Sequence, residues 1–114
     1  MIDCIFCKIA AKEIPCELVF ESDDVVAIND ISPVAPIHIL IMTKKHYANI
    51  NDLIGSEKNL LIKLFDAVAQ VAKDKGISDS GYRLIINSGV NGGQTVPHLH
   101  FHLISGTKLS KLLV

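Results

Sequence analysis

A two-residue period in Pro97-His98-Leu99-His100-Phe101-His102-Leu103-Ile104 constrains this chain more than any other feature. Polar and apolar residues alternate there, and side chains at i, i+2 and i+4 of a β-strand share one face. A strand here directs Leu99, Phe101 and Leu103 into a core. It aligns His98, His100 and His102 on the opposite face, spaced about 7 Å apart. A solvated polar face is better served by Thr, Lys or Glu, so three aligned imidazoles point to chemistry.

At 114 residues the chain is expected to form one domain over 1–114. Hydrophobic residues make up 49% and charged residues 20%, enough for a core and too apolar for disorder. A net charge of -1 gives no general attraction to nucleic acid or to a membrane surface. No apolar run reaches the roughly 18 residues of a membrane span. Asp3, Cys4 and Cys7 interrupt any signal-peptide pattern, so a cytoplasmic location is expected. Beyond Asp79 the chain has no acidic residue, whereas Arg83, Lys108 and Lys111 remain. The histidine-bearing end is mildly electropositive, which suits an anionic substrate.

Cys4-Ile-Phe-Cys7 opens the chain. A CxxC pair is a zinc half-site, a redox dithiol or a coincidence, and His46 and His98 are available as further metal ligands. Residues 5–11 read as a short helical turn, and Cys16 as a small buried or half-buried residue. Residues 17–21 and 25–29 read as strands of a hairpin around Ser22-Asp23-Asp24. Asp30 then either caps a turn or orients a ligand. Residues 37–42 form a third strand interrupted by His38, and His46 follows on an exposed corner. One helix is expected over 57–75. Ser56 is its N-cap, Leu61, Leu64, Phe65, Val68 and Ala72 its buried stripe, and Gly76 its stop. Residues 82–87 form a fourth strand, joined to the histidine strand through the glycine-rich Ser88–Gly93 turn. That turn lacks GxxxxGK and is no P-loop.

Clustered histidines serve three chemistries: a catalytic metal, a nucleophilic imidazole or plain ligand binding. A hydrolytic metal centre commonly adds carboxylates, and Asp30 is the one candidate. A nucleophile needs a bare ring nitrogen, so its other nitrogen needs an acceptor. A backbone carbonyl of the same strand can serve. Flanking imidazoles and loop N–H groups then act on the phosphoryl group.

His98-Leu-His-Phe-His-Leu-Ile104 resembles the signature of the histidine-triad (HIT) family. Gly92-Gly93-Gln94, Gly81-Tyr82-Arg83 with Asn87, and Asp30-Ile31-Ser32-Pro33 through Ala35-Pro36 and His38 resemble its Hint branch, as do Phe6-x-Lys8-Ile9 and Glu13-Ile14-Pro15. The resemblance covers about residues 4–106. It implies an α+β fold: a five-stranded antiparallel sheet with one long and one short helix. It also implies a homodimer with a continuous ten-stranded sheet. The implied activity is hydrolysis of purine nucleoside 5′-phosphoramidates through a nucleotidyl-histidine. The alternatives are a dinucleoside polyphosphate hydrolase and a zinc-stabilised nucleotide-binding module with little catalysis.

By motif position, the resemblance makes His100 the nucleophile and His102 the phosphate-side helper, with His38 supporting the catalytic imidazole. Asn87, Gln94 and Thr95 line the phosphate pocket, Asp30 binds the ribose hydroxyls, and Asn29 and Gly93 belong to the nucleotide site. Ile5, Phe6, Ile9, Ile28 and Ile31 enclose the base. In a bacterial subset of the family, Cys4, Cys7, His46 and His98 match the ligands of a structural zinc, and Pro97 fits that subset. No cofactor is implied for the chemistry itself. The tail after Gly106 is short, carries lysine and lacks Trp.

Overall fold

A computed structural model describes residues 4–109. Among them are the strands β1 (Leu18–Glu21), β2 (Val25–Asn29), β3 (Ile37–Thr43), β4 (Arg83–Ile86) and β5 (His100–Ser105). They form one antiparallel sheet in the order β1-β2-β3-β5-β4. The helices are α1 (Ile5–Ala10), α2 (Ile50–Glu57) and α3 (Leu60–Asp74). This is the expected α+β architecture, with three helices among the described residues where two were expected.

The strand period gives the sheet two different faces. Ile39 and Ile41 of β3 and Phe101 and Leu103 of β5 join Leu64, Val68 and Val71 of α3 in the larger core. His38, Leu40 and Met42 alternate with them on β3, and in register Met42 lies opposite His100 and Leu40 opposite His102. On that second face, Phe6 and Ile9 of α1 pack with Val26, Ile28, Leu40 and Met42. One face is therefore structural and lies against α3, and the other carries the polar groups beside α1.

The helix expected over 57–75 is α3, and α2 precedes it as a further helix that was not expected. Asn49 caps α2 by accepting the Asp52 N–H at 3.0 Å, and the Asp52 carboxylate accepts the Ala48 N–H at 3.0 Å. Ser56, the expected cap, lies inside α2. Gly55-Ser56 reads as a break because both are poor helix formers, yet burial of Leu53 holds this segment helical. On α3 the buried face is Leu60, Leu64, Ala67, Val68, Val71 and Ala72. Leu61 is half-buried and Phe65 exposed, so the stripe is rotated from the expected one. Gly76 ends the helix region at φ 70°, as its position predicted. Cys16 is exposed, not buried.

The histidine row is also corrected. β5 begins at His100, and His98 sits in the bend before it. Pro97 has no N–H for a ladder, the His98 N–H turns back to the Val96 carbonyl at 2.8 Å, and Leu99 donates to Tyr47 at 2.7 Å. The imidazole of His98 is still buried on the second face, against the ring of Phe6.

Candidate active site

His100 is buried, and its Nδ1 lies 2.7 Å from the carbonyl oxygen of His98. The ring N–H donates to that carbonyl, so Nε2 carries a bare lone pair. Burial pushes the His100 pKa down, opposed by this hydrogen bond and by the charge of Asp30. The result is a neutral imidazole at pH 7. Phe6 packs edge-on against it, with ring centroids 4.9 Å apart. His102 follows on β5, with its ring 5.0 Å from that of His100.

His102 belongs to a hydrogen-bonded chain that begins on the backbone. The Val34 N–H donates to His38 Nδ1 at 3.2 Å. Nδ1 therefore carries no proton, and the proton of that ring is on Nε2. His38 Nε2 lies 3.0 Å from His102 Nδ1, which must accept, leaving the His102 proton on Nε2. Burial lowers the His102 pKa, helped by His100 and His38 and opposed by Asp30. Asp30 Oδ2 is 3.5 Å from the same His38 Nε2, and its Oδ1 accepts the Ser32 N–H at 2.8 Å.

Donor atoms of Asp30, His38 and His102 all lie within 4.8 Å of one another, as metal ligands could. A metal on His38 Nε2 would drive the ring proton to Nδ1, where it would face the Val34 N–H donor to donor. These three residues are a proton-ordering chain, not a metal site.

The loop from Asn87 to Val96 is tied together by side-chain hydrogen bonds. Asn87 donates to the Gly92 carbonyl at 2.7 Å. Gln94 accepts the Gly89 N–H at 2.9 Å and donates to the carbonyls of Ala48 and Val96 at 2.6 and 3.0 Å. A Cβ on Gly92 would meet the Ser88 carbonyl oxygen at 2.5 Å, and Gly93 has φ 79°. Phe6, Ile9 and Ile28 are buried together, whereas Ile5, Asn29, Ile31 and Thr95 are exposed. Ile31, at 97% exposure, has a free apolar surface.

A second polar cluster lies beside α1. Cys4 Sγ and Cys7 Sγ are 3.3 and 3.5 Å from His98 Nδ1, and Cys7 Sγ is 3.3 Å from His46 Nδ1. The four donor atoms lie within 4.8 Å of one another. Ligands about 2.0–2.3 Å from one tetrahedral ion stand roughly 3.3–3.8 Å apart, so the set fits a closed metal site. The other ring nitrogen of His98 donates to the Thr43 carbonyl at 2.7 Å, which aims Nδ1 at the sulfurs. Burial, then the hydrogen bond and charge of Cys4, push the Cys7 thiol up to about 11, a cost that a bound cation would reverse.

Val34 and Thr43 escaped the sequence reading. Both act through backbone N–H and C=O groups, which leave no side-chain signature. Gly92 stood in a recognised turn, but its steric need is visible only in three dimensions.

Sheet, ordered imidazoles and thiol–imidazole cluster together define an α+β protein that presents a neutral histidine with a bare nitrogen. A family model for the HIT domain matches residues 11–109. The chain belongs to the HIT family. It is 41% identical over 109 residues to a purine nucleoside phosphoramidase of Escherichia coli K12, covering 96% of this chain and 92% of that one. It is 43% identical over 104 residues to protein HitA of Neisseria gonorrhoeae, covering 91% and 96%. A solved histidine triad protein from Clostridium difficile superposes with TM-score 0.93 at 46% identity, over 98% of this chain and 97% of the other. A HIT family hydrolase from Legionella pneumophila gives 0.90 at 44% identity, over 95% and 96%.

Proposed function

We propose that this chain is a hydrolase of purine nucleoside 5′-phosphoramidates, with His100 as nucleophile. The observation that carries this reading is the 2.7 Å hydrogen bond from His100 Nδ1 to the His98 carbonyl, which leaves Nε2 bare. The Escherichia coli relative named as a purine nucleoside phosphoramidase supports the substrate class. His100 Nε2 attacks phosphorus while the P–N bond breaks. The phosphoramidate nitrogen, protonated from solvent, leaves as a neutral amine with the bonding electrons. Water then forms a P–O bond as the P–Nε2 bond breaks, and its spare proton returns to solvent. His102 Nε2–H donates to the phosphoryl group throughout, with Asn87, Gly93, Gln94 and Thr95 around the phosphate. Asn29-Asp30 holds the ribose. Phe6, Ile9 and Ile28 form the wall of the base site, and the exposed Ile5 and Ile31 close over it.

The same reading places zinc on Cys4, Cys7, His46 and His98. Two thiolates and two imidazoles with no open position suit a structural ion. When bound, zinc ties α1 to the start of β5 and takes no part in the reaction. Three free cysteines fit a reducing cytoplasm, and no helix among the described residues is long and apolar enough to cross a membrane. Residues 1–114 act as a single HIT domain, working as a homodimer.

The test is turnover of an AMP-amine substrate. His100→Ala is expected to lose at least about 10³-fold in kcat with the fold retained by circular dichroism. Full activity in that variant would refute the mechanism. A kcat/KM for diadenosine polyphosphates above that for the phosphoramidate would shift the assignment to polyphosphate hydrolysis.

A further inference from the structure

His38 Nε2 carries one proton and faces two acceptors. His102 Nδ1 is at 3.0 Å and Asp30 Oδ2 at 3.5 Å. His38 is buried at 7% exposure, whereas Asp30 and His102 are half-buried, so a ligand can reach Asp30 while His38 stays enclosed. Its Nδ1 is committed to the Val34 N–H, so the ring cannot resolve the competition by changing tautomer. The Asp30 carboxylate has one oxygen engaged by the Ser32 N–H; the other faces His38 with its charge only partly compensated.

We propose that Asp30 and His38 couple the ribose subsite to the phosphate-side imidazole. Ribose hydroxyls donating to Asp30 satisfy that carboxylate and weaken its pull on the His38 proton. The His38 Nε2–H then donates to His102 Nδ1 alone, and the His102 Nε2–H is fixed as donor toward the phosphoryl group. His38 is on this account a positioning residue for His102. The ribose interaction is realised in the chemical step, so it raises kcat as well as tightening binding. The inference rests on the phosphoramidase reading for its kinetic expression, but the coupling itself is a property of the hydrogen-bond chain.

Two measurements test it. The first compares adenosine 5′-phosphoramidate with its 2′,3′-dideoxy analogue. In the wild-type protein, loss of the hydroxyls is expected to lower kcat by about 10-fold or more, besides raising KM. In His38→Leu the kcat gap is expected to close while the KM gap persists, because Asp30 still holds the sugar. A kcat gap of equal size in His38→Leu refutes the coupling, as does a wild-type penalty confined to KM. The second uses ¹⁵N-histidine-labelled wild-type protein titrated with adenosine and with 2′,3′-dideoxyadenosine, neither of which can react. Adenosine alone is expected to shift the His102 ring nitrogens further toward the Nε2–H form. Identical shifts with both nucleosides refute the coupling, even if His38→Leu does not fold. Failure of the wild-type protein to turn over either substrate would sink the phosphoramidase reading, and the titration would still decide the coupling.

Discussion

His98 serves three neighbours at once. Its Nε2 donates to Thr43, its Nδ1 faces the two sulfurs and its carbonyl accepts from His100. Burial, with His46 and His100 adding to it and the Thr43 bond opposing it, holds its pKa down at about 4. In metal-free protein the unfolded chain therefore takes up this proton first as pH falls. Stability is full above the ordinary value of about 6.5 and declines until pH falls through about 4. The loss approaches about 3 kcal/mol, readable as a midpoint shift in urea unfolding of chelator-treated protein between pH 7 and pH 4. An unchanged midpoint would mean that His98 is not held neutral. Gly92 makes a second demand at this scale. An added Cβ would strike backbone atoms of Ser88, oxygen at 2.5 Å and nitrogen at 2.9 Å, whereas at Gly93 it meets nothing within 4 Å. Gly93→Ala carries only the left-handed backbone strain, about 1–2 kcal/mol. Gly92→Ala must open the loop and shift Asn87 and Gln94. Its kcat/KM is expected to fall about 10-fold further than that of Gly93→Ala, and equal losses would count against a steric role for Gly92.

At the level of elements, α1 is the weak one. Six residues are too few for a helix to stand alone, and only Phe6 and Ile9 of it are buried. The cluster of Cys4, Cys7, His46 and His98 is what pins its start to the bend before β5. Cys4→Ser with Cys7→Ser, or exhaustive chelation, is expected to release one equivalent of metal and lower Tm by about 10 °C or more. Under the proposed function, in which Phe6 walls the base site, KM for an AMP-amine should rise. Protein that is metal-free as purified, with unchanged Tm after chelation, would refute the pinning. How far the sequence discloses such elements depends on where their information lies. The strands are legible as short apolar runs bounded by turn residues, plain in residues 25–29 and 37–42, which are buried on both faces of the sheet. α2 is not, because its helicity rests on burial of Leu53 and on a cap at Asn49, against the local preference of Gly55-Ser56. The imidazoles are visible as residue types. The order of protons along them is not, because Val34 and the His98 carbonyl set it through the backbone.

At the scale of the whole molecule, β4 lies at one edge of the sheet among the described residues, and natural sheet edges are covered or blunted. Beside it lies an apolar strip. Phe65 of α3 packs at a tilt against Phe101, with ring centroids 5.4 Å apart, and the register partner of Phe101 on β4 is Ile86. Ile62, Phe65 and Ile86 are 64%, 49% and 36% exposed. A monomer would leave this apolar surface to water, whereas a two-fold contact along β4 and α3 would cover it in one self-complementary interface. Sedimentation equilibrium is therefore expected to give twice the 12.4 kDa of one chain. Ile62→Asp with Phe65→Asp should shift the mass to that of the monomer at micromolar concentration. Both positions lie on α3, away from the Cys4, Cys7, His46 and His98 cluster, so any metal content should stay the same. A wild-type protein that sediments as a monomer would show that the edge is protected without a partner. A double variant that remains dimeric would place the interface elsewhere on the molecule.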